Sequence, residues 1–146
     1  MFKNIKMKTY LTLLLAGVLF LGCDDGSFNN NNPYIPSVGF SRSFDLNLPS
    51  YSQLQFPGNS IYYGGADAGV LGIILFNSGS GYRAYDGACP NQELAACSRL
   101  EVSGSAAICP CDDAAYNLFT GQSTGLPYPL KPYRVTVNGS VLTVFN

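Results

Sequence analysis

Five cysteines and no histidine bound the chemistry open to this 146-residue chain. Without an imidazole there is no Ser-His or Cys-His nucleophile pair, no histidine zinc hydrolase site and no histidine proton shuttle, so most common hydrolytic mechanisms are excluded. Four of the cysteines cluster in two runs, Cys89-Pro90-Asn91 with Cys97 following, and Cys109-Pro110-Cys111-Asp112-Asp113. In an oxidising compartment such a group closes into disulfides; reduced, it offers four thiolates to zinc or iron, although Cys-x-Cys is not the Cys-x2-Cys spacing of ordinary zinc knuckles. Asp112 and Asp113 have no further acidic neighbours and read as a solvated turn, not a calcium site.

The fifth cysteine points to the compartment. Lys3, Lys6 and Lys8 precede an apolar run from Tyr10 to Leu21, shorter than the roughly 20 residues a spanning helix needs and suited to a secretory signal. Residues 1–22 are expected to be a signal peptide. Its end, Leu19-Phe20-Leu21-Gly22-Cys23, resembles a bacterial lipobox with Phe20 where leucine is usual. The resemblance implies that Cys23 is lipidated and becomes the first mature residue, which also accounts for the odd cysteine count. Bacterial lipoproteins carry three acyl chains, and each buried methylene adds about 0.8 kcal/mol, so the anchor would be effectively permanent. Cleavage removes three of the eight basic residues and none of the nine acidic ones. The mature chain is then mildly acidic, with no basic field for nucleic acid or for lying flat on anionic lipid. Residues 23–38, rich in asparagine, are expected to be a flexible tether. Asp24 and Asp25 resemble surface-export signals of Bacteroidetes-type lipoproteins. The expected location is the cell envelope, at the outer membrane, with either face open.

The remaining segment, 39–146, must position the cysteines. Charged residues make up 12% of the chain, about half the usual share of roughly 25%, and glycine, proline and tyrosine are abundant, as in a turn-rich β protein. Phe44, Leu46 and Leu48 alternate with Asp45 and Asn47, the pattern of a half-buried strand. Val70 to Phe76 is a continuous apolar run expected to be a strand covered on both faces. Further strands are expected at Ser60–Tyr63, Tyr82–Asp86, Leu100–Ser103 and Ala106–Cys109. Tyr133–Val137 and Ser140–Phe145 flank Asn138-Gly139, which suits a two-residue type I′ hairpin turn, so the Asn138-Gly139-Ser140 glycosylation pattern reads as a turn. Together these predict one all-β domain, a small antiparallel sandwich or barrel. The tyrosines read mainly as sheet and core residues.

The cysteine runs, with Tyr116, Thr120-Gly121, Gly125-Leu126-Pro127-Tyr128-Pro129 and the closing Tyr133-Arg134-Val135, resemble the Rieske iron-sulfur domain in motif order over about residues 60 to 146. The resemblance implies a Rieske-like β fold with a two-loop cysteine-bearing subdomain. It places Cys89 and Cys109 at the two cysteine ligands of a two-iron two-sulfur cluster, and Asn91 and Asp112 at the two histidine ligands. Cys111 matches the second-loop cysteine of disulfide-bearing members, with Cys97 as its partner. Leu126 stands where the family has proline, and Asp113 where it has glycine. A Rieske centre owes its raised potential to neutral imidazoles replacing thiolates on one iron. Asparagine is a poor iron ligand, and an aspartate offers a hard anion instead of an imidazole. An ordinary Rieske centre is thereby excluded. The resemblance then implies disulfides Cys89–Cys109 and Cys97–Cys111, with no cofactor, in a non-enzymatic envelope lipoprotein of structural or partner-binding role. The alternative is an electron-transfer protein whose cluster is held by Cys89 and Cys109 with non-histidine ligands, Asp112 or Asn91 among them.

Overall fold

The computed structural model describes residues 28–146. The expected signal peptide, Cys23, Asp24 and Asp25 lie outside the described residues. Among the described residues, no helix is long and apolar enough to cross a membrane.

The described chain is built of short strands, as its composition predicts. In order they are β1 (Ser41–Asp45), β2 (Ser60–Tyr63), β3 (Ile73–Asn77), β4 (Tyr82–Asp86), β5 (Glu101–Ser103), β6 (Ala106–Ile108), β7 (Ala115–Asn117), β8 (Pro132–Asn138) and β9 (Val141–Phe145), with a 3-10 turn at Ser52–Gln55. Six of them make one antiparallel sheet in the order β1-β9-β8-β4-β3-β2, and β5-β6-β7 make a second. The long strand β8 turns a corner: Tyr133 and Pro132 pair with Ala84 and Tyr85 of β4, while Arg134 to Asn138 pair with β9. The sheet therefore curls until its two edges face each other. Phe44 of β1 meets Tyr63 of β2 edge-on at 5.2 Å, and Arg42 reaches Asp67 beyond β2 at 2.8 Å.

Strand β3 is buried along its whole length, and its alternate residues serve two cores. Ile73 and Leu75 pack with Phe44, Leu54, Leu142 and Val144 inside the curled sheet. Ile74 and Phe76 pack with Cys89, Cys109, Tyr116 and Leu118 under the small sheet. The cysteine loops are thus mounted on the back of the main sheet. Glycine makes the junction possible at two positions. Gly72 has φ +88°, and a Cβ there would lie 2.5 Å from the Tyr63 carbonyl; one on Gly87 would lie 2.2 Å from that of Leu71.

Four expectations change. The strand predicted from Val70 begins at Ile73, because the amides of Val70 and Leu71 turn to the buried Asp86 carboxylate at 2.6 and 3.3 Å instead of joining a ladder. Leu48 is exposed at 51%, since β1 ends at Asp45 and the alternation runs out into a turn. In the terminal hairpin Asn138 pairs with Val141, so the loop residues are Gly139 and Ser140. Only Gly139 has positive φ there, the pattern of a II′ turn with glycine first and not the predicted I′ turn. Finally, the tether does not run freely to residue 38. Ile35 is 1% exposed, and the Lys131 ammonium donates to the carbonyls of Asn30 and Ile35 and to the Ser37 hydroxyl, at 2.7, 3.4 and 3.1 Å. A buried cation must be hydrogen-bonded, and carbonyls of the N-terminal segment supply that need.

Candidate functional site

The first cysteine loop leaves β4 at Asp86 and returns into β5. Its base is narrow: the Leu100 amide donates to the Gly87 carbonyl at 2.7 Å, Ala88 and Arg99 form a lone β-bridge, and the Cys89 amide donates to Ser98 at 2.8 Å. Asp86 fixes that base. Its fully buried carboxylate accepts from the Val70 and Ala88 amides and, at 2.6 Å, from the Tyr133 hydroxyl. Burial, and then the Asp86 charge, push the Tyr133 phenol far up.

The second loop joins β6 to β7 and is shorter. The Cys109 amide donates to Ala114 at 2.9 Å, and the Asp112 carboxylate accepts from the Ala114 amide at 3.1 Å. Asp113 has φ +56°, the one non-glycine residue with positive φ among the described residues. Aspartate tolerates the left-handed region better than most side chains, which fits it to a loop tip where the family resemblance would place glycine.

The two loops meet through sulfur. Cys89 is bonded to Cys109 and Cys97 to Cys111, with Cα separations of 5.7 and 5.2 Å, inside the usual range of roughly 4.4–6.8 Å. This is the pairing the resemblance implied. The bonds differ in exposure: Cys89 and Cys109 are 1% and 0% exposed, whereas Cys111 is half-buried and Cys97 exposed. They are also adjacent. The sulfurs of Cys89, Cys109 and Cys111 all lie within 4.8 Å of one another.

Asn91 and Asp112, at the positions of the two histidines, are placed differently. Asn91 is half-buried and its amide is fully engaged. Its Nδ2 donates to the Tyr116 hydroxyl at 2.9 Å and the Tyr128 carbonyl at 2.7 Å, and its Oδ1 accepts from the Tyr128 amide at 3.0 Å. It clamps the first loop to the proline-containing segment 125–130. Asp112 is exposed at the tip of the second loop. The N-terminal segment also reaches this loop and segment 125–130, with Asn32 Nδ2 donating to the Pro90 carbonyl at 2.8 Å and Tyr34 edge-on to Tyr128 at 5.9 Å.

In this disulfide-bonded state the residues do not offer the donors of a two-iron two-sulfur cluster. The four sulfurs are spent on each other, the Asn91 oxygen and nitrogen are turned to Tyr128 and Tyr116, and one exposed carboxylate remains as a hard donor. What the arrangement can do chemically is thiol–disulfide exchange.

Sequence reading passed over three residues that shape the site. Ser98 is fully buried, with its hydroxyl 3.9 Å from the Cys111 sulfur. Asp86 and Lys131 are buried charges in otherwise ordinary strand sequences, and only the fold brings their partners to them. A shallow cavity of about 580 Å3 lies along β2, near Tyr51, Asn59, Ser60 and Tyr62. Three of its polar side chains are bonded within the chain, Asn59 to Gln53, Ser60 to Gly104 and Tyr62 to Leu71.

No family model matches the chain, and no curated protein matches it. Among solved structures it is similar to a chain of the complex of reduced oxygenase and oxidized ferredoxin in carbazole 1,9a-dioxygenase, at 23% identity and TM-score 0.46 over 64% of this chain and 85% of that one. It is also similar to the ferredoxin of carbazole 1,9a-dioxygenase from Nocardioides aromaticivorans IC177, at 20% identity and TM-score 0.42 over 63% and 90% of the two chains. A third likeness is to a quaternary ammonium Rieske monooxygenase in complex with gamma-butyrobetaine, at 15% identity and TM-score 0.48, over 74% of this chain and 32% of that one. At TM-scores below 0.5 the Rieske-like reading rests on the chain's own arrangement, two cysteine loops held side by side on a small sheet with a proline-containing segment against the first.

Proposed function

We propose that this chain is a lipid-anchored protein of a bacterial cell envelope whose Rieske-like domain has replaced cluster ligation by disulfide stapling, and whose role is structural or partner-binding, not enzymatic. The observation that carries the reading is the Cys89–Cys109 bond, because it joins the two residues whose thiolates a cluster would need. The engagement of Asn91 by Tyr116 and Tyr128 supports it, since a side chain with every hydrogen-bonding group in use has a positioning task of its own. Anchoring through Cys23 at the outer membrane follows from the N-terminal sequence, and the mild acidity of the mature chain favours a domain held off the lipid surface.

The test is made on the full chain, expressed in a bacterial host, solubilised from membranes in detergent and handled without reductant. The expected protein is colourless, carries no iron, and exposes no thiol to alkylation after denaturation. A red-brown protein with about two irons per chain overturns the reading in favour of a cluster-bearing electron carrier.

A further inference from the structure

We propose that the two disulfides form a thiol–disulfide relay: a dithiol reductant opens Cys97–Cys111, and Cys111 then passes the exchange inward to Cys89–Cys109. This rests on the disulfide reading above and goes beyond a passive staple. Three observations carry it. Cys97 is an exposed residue, which makes the outer bond the one an external thiolate meets first, while Cys89 and Cys109 are 1% and 0% exposed and closed to direct attack. The Cys111 sulfur lies within 4.8 Å of both inner sulfurs, so its attack is intramolecular and over a short distance. The buried Ser98 hydroxyl, 3.9 Å from the Cys111 sulfur, stands where it can donate a hydrogen bond to the thiolate as it forms.

The steps balance. A thiolate of the reductant attacks Cys97 Sγ, forming a mixed disulfide and expelling Cys111 as thiolate. The reductant's second thiol resolves the mixed disulfide and gives its proton to Cys97, so the reductant leaves oxidised, Cys97 is a thiol and Cys111 a thiolate; two electrons and one proton have entered the chain. The Cys111 thiolate then attacks Cys89 Sγ. The Cys89–Cys111 bond forms, the Cys89–Cys109 bond breaks, and the electron pair leaves on Cys109 Sγ, which takes up a proton. Attack on Cys109 itself is disfavoured because Pro110 alone separates it from Cys111, and the product would close a very small ring. A second equivalent of dithiol reduces the rearranged bond, so the site accepts four electrons in two stages.

Dithiothreitol is the probe, used on the full chain in detergent. Three proteins are compared: the unaltered chain, Cys97→Ser and Cys97→Ser/Cys111→Ser. The exposed Cys97 tolerates serine without disturbing the core, and in the single variant Cys111 is a thiol from the start. Opening of Cys89–Cys109 by dithiothreitol is followed by alkylation and peptide mass spectrometry. It is expected to be at least about tenfold faster in Cys97→Ser than in the double variant, with a Cys89–Cys111 peptide trapped on the way. In the unaltered chain Cys97 is expected to be the first cysteine alkylated. Equal opening rates in the two variants, or alkylation of Cys89 and Cys109 ahead of Cys97, would overturn the relay. Iron, or thiols at Cys89, Cys97, Cys109 or Cys111, found in the unaltered chain before dithiothreitol is added would instead sink the disulfide reading beneath it.

Discussion

The Tyr133 hydroxyl donates to Asp86 Oδ2 at 2.6 Å in a place where both residues are buried, Asp86 at the end of β4 and Tyr133 at the start of β8. This contact joins the corner of the main sheet to the base of the first cysteine loop. Removing the donor leaves a buried carboxylate short of one partner, and hydrogen bonds to charged groups contribute about 1.5–3 kcal/mol. Tyr133→Phe should lower the unfolding free energy by that amount, read as a lower urea midpoint at an unchanged denaturant slope. A loss below about 0.5 kcal/mol would show that water replaces the hydroxyl.

The same tyrosine gives stability a pH limit. Burial pushes up the phenols of Tyr85, Tyr116 and Tyr133, in Tyr133 with help from Asp86. An unfolded tyrosine ionises near pH 10, so above that the unfolded chain gives up protons that the folded chain keeps. Their contribution is therefore complete below about pH 10 and is lost as pH climbs toward the folded values. Lys131 acts in the opposite sense: burial pushes its ammonium down, so raising pH from its folded value towards about 10.5 adds stability. Urea midpoints should hold or rise up to about pH 10 and fall beyond it. In Tyr133→Phe the fall should be shallower by up to about 1.4 kcal/mol per pH unit.

Asn91 should matter for order more than for chemistry. Its three hydrogen bonds hold Tyr128 and Tyr116 against the first loop. Asn91→Ala should cost about 1 kcal/mol or somewhat more, from partly buried groups left unpaired. It should also speed exchange of the Tyr128 amide, read by hydrogen–deuterium exchange. Unchanged exchange at Tyr128 would mean that segment 125–130 is held from elsewhere.

The two disulfides should not be equivalent. They close spans of 20 and 14 residues, and on chain entropy alone each contributes about 3 kcal/mol, with a difference of only about 0.3 kcal/mol. Burial makes the larger distinction. Replacing Cys89 and Cys109 by alanine also removes sulfur from the packed second core, so this pair should lower the melting temperature more than Cys97→Ala/Cys111→Ala does. Equal losses would mean that the inner sulfurs contribute little packing.

Lys131 fastens the N-terminal segment. With methionine there, the carbonyls of Asn30 and Ile35 lose their donor, and residues 28–38 should become open to limited proteolysis while the sheet stays intact. Resistance equal to that of the unaltered chain would mean that Ile35 burial and the Asn32 and Tyr34 contacts hold the segment without the lysine.

Much of this frame was legible, because periodicity reports burial directly. β2 and β4 fall on the predicted residues, and the closing hairpin is where it was expected. What failed did so locally. Val70 and Leu71 are as apolar as Ile73 and Ile74, and nothing along the chain reveals that Asp86 draws their amides into a turn. β7 carries one buried side chain in three residues, too short for alternation to register. The disulfide partners came from motif order, since spacing alone leaves the connectivity of four cysteines open. Residues 28–38 are held by partners 58 to 101 residues away, Pro90 and the buried Lys131 among them, and no local pattern reports such contacts.

Strand β3 divides its side chains between two chambers and keeps none for water. Such a strand has nowhere to slip, since a shift of one residue would exchange the occupants of both chambers at once. The party wall between scaffold and sulfur is therefore locked in place, and bonds can be made and remade at the rim of one room while the masonry of the other stays put.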